Sequence, residues 1–577
     1  MTWSRASSGR RRWRLPVALA AAAAALATAT VSTVTSTPVS AAPAKDWLHV
    51  QGNQIVDEDG NPVWLTGANW FGFNASERVF HGLWSANITE VTKSMADRGI
   101  NLVRIPISTQ LLLEWRAGQT VAAPNVNTFA NPELAGKNNL QIFDYFLQLS
   151  EQYGIKVMLD LHSAEADNSG HIHPVWYKGT VTPEQFYVGW EWVTERYKNN
   201  DTIIAMDIKN EPHGTPNQPP RAKWDNTTDQ DNWKHACETA SKRILAINPN
   251  VLVLCEGIEV YPREGETWNS PNTDPDLSPN YYYNWWGGNL RGVRDHPINL
   301  GANQDQLVYS PHDYGPLVFD QPWFQKPFDK ASLTADVWRP NWFFIHEQGI
   351  APLLIGEWGG RLGQDERQDR WMTALRDLIA EHKLHQTFWV LNPNSGDTGG
   401  LLRDDWKTWD EQKYALLKPA LWQHNGKFVS LDHQVPLGGV GSTTGISLGS
   451  RYGGSDPTPT SPTPTLPTAT PTTASPTPSQ PAGTCAATFR ATSTWPTGFQ
   501  GEVTVTNPGT SAIRGWSVSM TLPQGVVVNN VWNGVRSENT VSNAPYNGTL
   551  APSGSTTYGF VAEGGTGPVI ISACTAR

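Results

Sequence analysis

Residues 203–213 read Ile-Ile-Ala-Met-Asp-Ile-Lys-Asn-Glu-Pro-His, a short β-branched and apolar run whose C-terminal end carries Asn210 and Glu211. The same shape recurs along the chain. It appears at 63–73 (VWLTGANWFGF), 102–108 (LVRIPIS), 156–162 (KVMLDLH), 251–257 (VLVLCEG), 307–314 (LVYSPHDY), 353–359 (LLIGEWG) and 386–393 (QTFWVLNP), which makes eight runs in all. Longer helical patterns fit between them, for example Glu90 to Arg98 and Asn139 to Tyr153. Alternating β and α units of this size predict an α/β fold with a parallel sheet closed into a (β/α)8 TIM barrel. Trp47 to Val56, with the turn Asp59-Gly60-Asn61, reads as a hairpin ahead of the barrel.

Every run gathers polar or aromatic residues at its C-terminal end: Asn69 and Trp70, Arg104, Asp160 and His162, Asn210 and Glu211, Glu256, His312 and Tyr314, Glu357, Trp389 and Asn392. A buried parallel strand has no structural reason to end so often in ionisable groups. Barrel active sites are built at that rim. Two glutamates there, Glu211 after the fourth run and Glu357 after the seventh, suit hydrolysis of a glycosidic bond with retention. One carboxyl protonates the leaving oxygen while the other, about 5 to 5.5 Å away, attacks the anomeric carbon.

These motifs, in this order, resemble clan A glycoside hydrolases and more closely family 5, the cellulase family. The resemblance covers the whole large body through Arg104 in RIPIS, His162 in LDLHS, Asn210 and Glu211 in NEP, His312 and Tyr314 in SPHDY, Glu357 in GEWGG and Trp389 in FWVLNPNSGDTGG. It implies Glu211 as general acid/base and Glu357 as nucleophile. Arg104 supplies a permanent cation to the nucleophile and Tyr314 a hydroxyl that holds it on line. Asn210 donates to the sugar 2-OH, His162 and His312 position hydroxyls and the acid, and Trp389 lies under the reacting sugar. Among the other rim aromatics, Trp70 in NWFG and Trp286 in YNWWGGN resemble substrate-cleft segments of bacterial members. Trp285, Trp323, Trp338 and Trp342 are further candidates, with core packing the alternative for each. The chain departs from the family pattern at Val390 and Leu391 after Trp389, and at Lys209 before NEP. Both departures bear on outer subsites.

A metal site is the alternative use of 171-HIH, with Glu165 and Asp167 nearby. No further ligands stand at a recognisable spacing and the two-carboxylate chemistry needs none, so no metal or other cofactor is expected.

Beyond the barrel, residues 455–481 are almost wholly Pro, Thr and Ser, the composition of an extended linker. The organisation is therefore a catalytic domain at 44–437, a Gly/Ser then Pro/Thr/Ser linker at 438–482, and a small body at 483–577. Short strands between turns make the last an all-β antiparallel sandwich. It resembles family 2 carbohydrate-binding modules through 495-WPTGFQGEVTVTN, 515-GWSVSMTLP, 530-NVWNG and 543-NAPYNGTLAPSGSTTYGF. The resemblance implies a flat row of Trp495, Trp532 and Tyr546 for crystalline polysaccharide, with Trp516 in the core. Cys485 and Cys574 bracket this body as a disulfide would; Cys237 and Cys255 either pair by elimination or remain buried thiols.

Arg10, Arg11, Arg12 and Arg14 precede an Ala/Leu/Val run from Leu15 to Ala27 and the small residues Val39-Ser40-Ala41, the pattern of a signal peptide at 1–41. The arginines permit a twin-arginine route. Secretion is expected, and no later segment is apolar enough to span a bilayer. A net charge of -10 offers no footprint for nucleic acid or an anionic membrane. The 27 Trp, beside only 17% charged residues, point instead to a neutral partner that some of the rings face. The family resemblance implies that this partner is cellulose or a related β-1,4-glucan, and a monomer is expected. A β-mannanase or xyloglucanase, and a non-catalytic polysaccharide-binding protein, are the rival readings.

Overall fold

The structure, a computed structural model, describes residues 46–122, 124–272, 279–456, 485–495, 498–523, 525–532, 534–543, 547–564 and 569–576. Its two compact units divide at residues 461/462.

The first unit is the predicted barrel. Its strands are β1 (Thr66–Asn69), β2 (Leu102–Ser108), β3 (Lys156–Ser163), β4 (Ile203–Asp207), β5 (Leu252–Cys255), β6 (Leu307–Tyr309), β7 (Leu354–Ile355) and β8 (His385–Phe388). Sequence neighbours pair in parallel from β1 to β6 and from β7 to β8, and β8 returns to β1. Bridges Tyr309↔Leu353 and His312↔Glu357 close the ring between β6 and β7. Every residue of β2 and β3 is buried, which is why these runs read as continuous rather than alternating apolar stretches.

Helices between the strands are set by local signals. The helix Asn139–Tyr153 starts on a capping box between Asn138 and Gln141 and stops at Gly154, whose φ of 69° permits a left-handed cap. The expected helix near residue 90 begins at Ile88, capped by Asn87. The N-terminal hairpin pairs Leu48–Gln51 with Gln54–Asp57 through a turn at Gly52-Asn53. The predicted turn Asp59-Gly60-Asn61 is a second one, held by Asp57, that folds Pro62 and Val63 back onto the hairpin.

At the base of the barrel Lys156 donates to Asp46 and Asp432, while the His433 ring bridges Asp46 and Asp57. The cluster ties the chain before the hairpin to the segment that ends the barrel. Cys237, on the helix Trp233–Ile247, is disulfide-bonded to Cys255 at the end of β5.

The second unit is a pair of four-stranded antiparallel sheets. Trp516 is buried between them and stacks on Tyr558. The Cys485–Cys574 disulfide joins the start of one sheet to a strand of the other. Trp495 and Trp532 end the two edge strands of one sheet. The side chains of both, and all of Tyr546, lie outside the described residues.

Candidate active site

Arg104 lies within β2 and Asp160 and His162 within β3, whereas the two glutamates follow their strands. β4 ends at Asp207, and the chain then turns so that Glu211 has φ 49°, a left-handed conformation that costs a β-carbon-bearing residue free energy and recurs at functional sites. Its backbone N–H donates to Glu256 Oε2 at 2.7 Å. Gly287 makes room for this carboxylate, since a Cβ at Gly287 would lie 2.4 Å from Glu256 Oε2.

Glu211 and Glu357 face each other. One carboxylate oxygen of each and a ring nitrogen of His312 lie within 4.8 Å of one another. Glu357 is gripped from two sides: Arg104 Nη1 donates to Oε1 at 2.7 Å, and the Tyr314 hydroxyl donates to Oε2 at 2.7 Å. His312 Nδ1 is 3.1 Å from Glu211 Oε1 and 3.6 Å from Glu357 Oε2, while Nε2 is 3.2 Å from Glu256 Oε1.

Arg104, the third residue of β2 and not at its end as the sequence suggested, is fully buried and spends its donors on Asp207, Asn69, Glu357, Asn210 and Glu256, with Asp160 at 3.2 Å. Four carboxylates around one guanidinium cannot all carry full charge in a dry interior. Burial pushes Glu256 up to about 8, Asp160 to about 7 and Asp207 to about 6, against the opposing pull of Arg104 and His312. Burial alone would lower His312, but Glu256 and Glu357 lift it well above the usual histidine value. Burial and the Glu357 charge hold the Tyr314 hydroxyl protonated, so it remains a donor.

His162 sits 2.7 Å from Asp160 through Nδ1, which leaves Nε2 for a ligand; burial keeps its pKa low. Asn210 accepts from Arg104 through Oδ1, which turns its NH2 into the free end. Lys209 is buried and donates to the backbone carbonyl of Asn210, so it braces the loop from behind.

Above these groups opens a cleft of about 820 Å³ lined by Glu211, Glu357, His162, Tyr314, Trp286 and Trp389, among others. Trp286 lies flat on His213 at 3.7 Å. Trp389 runs parallel to Phe71 at 5.7 Å and to His162 at 5.6 Å. Arg104, Asn210 and His312 stand behind the carboxylates rather than on the cleft surface.

One expected cleft residue is not there. Trp70 is buried, stacked on Phe80 at 4.2 Å with its indole N–H donating to the His81 carbonyl. Successive residues of an extended segment face opposite ways, so burial of Trp70 presents Phe71 to the cleft. Trp338 and Trp342 are likewise core, whereas Trp285 lines the cleft. Sequence reasoning placed Asp160 and Glu256 among the run-end residues without giving them a role, and did not single out Asp207. The 171-HIH loop does not gather ligands: Glu165 and Asp167 face Lys178 at 2.8 and 3.7 Å, and His173 meets the Tyr177 carbonyl. His171 lines the cleft.

The comparisons with known proteins agree with this geometry. A family model described as cellulase (glycosyl hydrolase family 5) matches residues 56–395, and one described as cellulose binding domain matches residues 485–575. Endoglucanase G of Acetivibrio thermocellus is 52% identical over 466 residues, 74% of this chain and 81% of that protein. The major extracellular endoglucanase of Xanthomonas campestris pv. campestris is 33% identical over 528 residues, 91% of this chain and 96% of that protein. An endocellulase from Pyrococcus horikoshii superimposes with a TM-score of 0.57 at 33% identity, covering 65% of this chain and 98% of that structure. The chain belongs to the cellulases of glycosyl hydrolase family 5 and carries a C-terminal cellulose-binding domain.

Proposed function

We propose that this glycoside hydrolase is a secreted, retaining endo-β-1,4-glucanase that cuts internal bonds of cellulose by double displacement. The observation that carries the reading is the close approach of the two carboxylates, with oxygens of Glu211 and Glu357 within 4.8 Å. So close an approach fits the short spacing of a retaining pair, about 5 to 5.5 Å between carboxyls, better than the about 6.5 to 9.5 Å of an inverting pair.

Glu357 attacks the anomeric carbon as Glu211 gives its proton to the departing sugar's oxygen. Glu211 then takes a proton from the water that hydrolyses the glycosyl ester. Arg104 and Tyr314 fix the nucleophile's two oxygens so that little reorganisation is needed on the way to the transition state. The family resemblance gives Asn210 the role of donating its NH2 to the 2-OH, where hydrogen bonding strengthens as the oxocarbenium-like state forms. His162 offers a neutral acceptor to another hydroxyl, while Trp389 and Trp286 give flat apolar faces for pyranose C–H groups.

Endo action and a β-glucan substrate rest on the endoglucanases it resembles. Secretion rests on the basic and apolar leader, whose removal would leave a mature chain beginning near residue 42. Its catalytic body runs past the expected boundary at 437, because Gly445–Ile446 pairs with Lys427–Val429 and Leu448 is buried, and the Pro/Thr/Ser linker to 482 and the binding module follow. Trp495, Trp532 and Tyr546 would hold that module to crystalline cellulose and raise the local concentration of substrate as a monomer works along it.

An activated 2-deoxy-2-fluoro-cellobioside tests the assignment. Mass spectrometry is expected to find the trapped sugar on the peptide that contains Glu357, and Glu357→Gln is expected to abolish turnover of soluble glucan. A label on another carboxylate would overturn the roles, and faster cleavage of mannan than of carboxymethyl-cellulose would overturn the substrate.

A further inference from the structure

We infer that Glu256, which never reaches the cleft, is a positioning residue for proton donation: it holds Glu211 in its left-handed backbone conformation and fixes the orientation of the His312 ring against the Glu211 carboxylate. The inference rests on the proposed role of Glu211 as acid/base.

Glu256 is fully buried immediately after β5 and is not part of the cleft lining. Its two oxygens do different work. Oε2 accepts the backbone N–H of Glu211 at 2.7 Å, a short contact to the one residue of the pair whose φ is positive. Oε1 faces His312 Nε2 at 3.2 Å and Arg104 Nη2 at 3.2 Å. The other His312 nitrogen faces Glu211 Oε1 at 3.1 Å. One carboxylate thus controls both the backbone and the side-chain environment of Glu211, and it has no such direct hold on Glu357.

The surroundings keep Glu256 in place. The indole N–H of Trp233 donates to the Glu256 carbonyl at 2.8 Å, and the preceding residue, Cys255, is linked to Cys237 on the same helix. Gly287 has no side chain where a Cβ would strike Oε2. The charged and titratable groups around Glu256 are Arg104 from β2, Asp160 from β3, Asp207 from β4, Lys209 and Glu211 beyond it, and His312 beyond β6.

The test separates proton donation from everything else. Glu256→Gln keeps the side-chain shape and one acceptor oxygen but cannot offer acceptors to Glu211 and His312 at once. Against cellotetraose, whose leaving group needs protonation, kcat/KM is expected to fall roughly ten- to hundredfold, as supporting residues around a site commonly cost when altered. Against 2,4-dinitrophenyl cellobioside, whose leaving group departs unassisted, kcat/KM reports glycosylation without acid help and is expected to stay within about threefold. Glu256→Asp is expected to recover part of the cellotetraose loss. Equal losses on both substrates would overturn the inference, because a merely structural residue, or one acting on Glu357, does not distinguish leaving groups. Wild-type rates on both would overturn it as well. Glu211→Ala is run alongside: if it fails to show the same selectivity for leaving groups, the acid/base assignment itself is wrong, whereas selectivity in Glu211→Ala without selectivity in Glu256→Gln refutes only the role of Glu256.

Discussion

Tyr314→Phe removes a single hydroxyl and nothing else. That hydroxyl donates to Glu357 Oε2 at 2.7 Å, and the nearest alternative donor, His312 Nδ1, stands 3.6 Å from the same oxygen, too far to replace it. Arg104 keeps its hold on Oε1, so the carboxylate stays in the site but gains freedom to rotate about one remaining anchor. A hydrogen bond to a charged group is worth about 1.5 to 3 kcal/mol. If that energy is realised in orienting the attack, kcat/KM falls about 10- to 150-fold. Because the nucleophile attacks whatever the leaving group, cellotetraose and 2,4-dinitrophenyl cellobioside should lose equally. The phenyl ring retains its edge contact with Trp285, whose centroid is 6.0 Å away, so the melting temperature is expected to drop by no more than about 3 °C. Steady-state kinetics on both substrates, with a thermal melt by circular dichroism, check this. Activity within twofold of wild type, or a loss confined to KM, would refute the view that Tyr314 orients the nucleophile.

Arg104→Lys offers three donors in place of a planar fork that meets five partners, so at least two buried oxygens lose their donor; about 3 kcal/mol or more of stability and at least about 100-fold in kcat/KM are expected to go, read by denaturant titration and kinetics. Trp70→Phe and Trp286→Ala should separate core from cleft: the first lowers the melting temperature and leaves KM for cellotetraose unchanged, and the second raises KM several-fold with little change in melting. At the base of the barrel, hydrogen bonding to Asp46 raises His433 above the usual histidine value. A group raised on folding contributes stability fully below its unfolded value, near pH 6.5, and loses it as pH rises through the folded value. The melting difference between wild type and His433→Ala should therefore be largest below pH 6.5 and shrink toward alkaline pH.

The barrel was legible because its strands are buried on both faces and therefore read as uninterrupted apolar runs, each ending in a polar residue that a strand alone does not explain. Glu211, Glu357, Arg104 and Tyr314 were legible for the same reason, as run-end residues of chemically matched types. Trp70 was misplaced because the resemblance of NWFG to cleft segments was weighed over alternation, and one step along the chain exchanges wall for cleft. Glu256 was visible at the end of its run, yet its purpose depends on a left-handed turn at Glu211 that no local signal announces. The pairing of Cys237 with Cys255 was open in the sequence, since it depends on helix and strand packing to a Cα separation of 6.2 Å. The hairpin turn fell at Gly52-Asn53, where Gly52 takes φ 63°, while the more obvious Asp-Gly-Asn served the next bend.

Proton NMR of cellotetraose hydrolysis, followed in the first minutes before mutarotation, tests the central claim most directly. Carboxylates as close as Glu211 and Glu357 predict that the new reducing end appears first as the β-anomer and only later equilibrates with α. Initial release of the α-anomer would mean a single displacement by water, and would contradict the account.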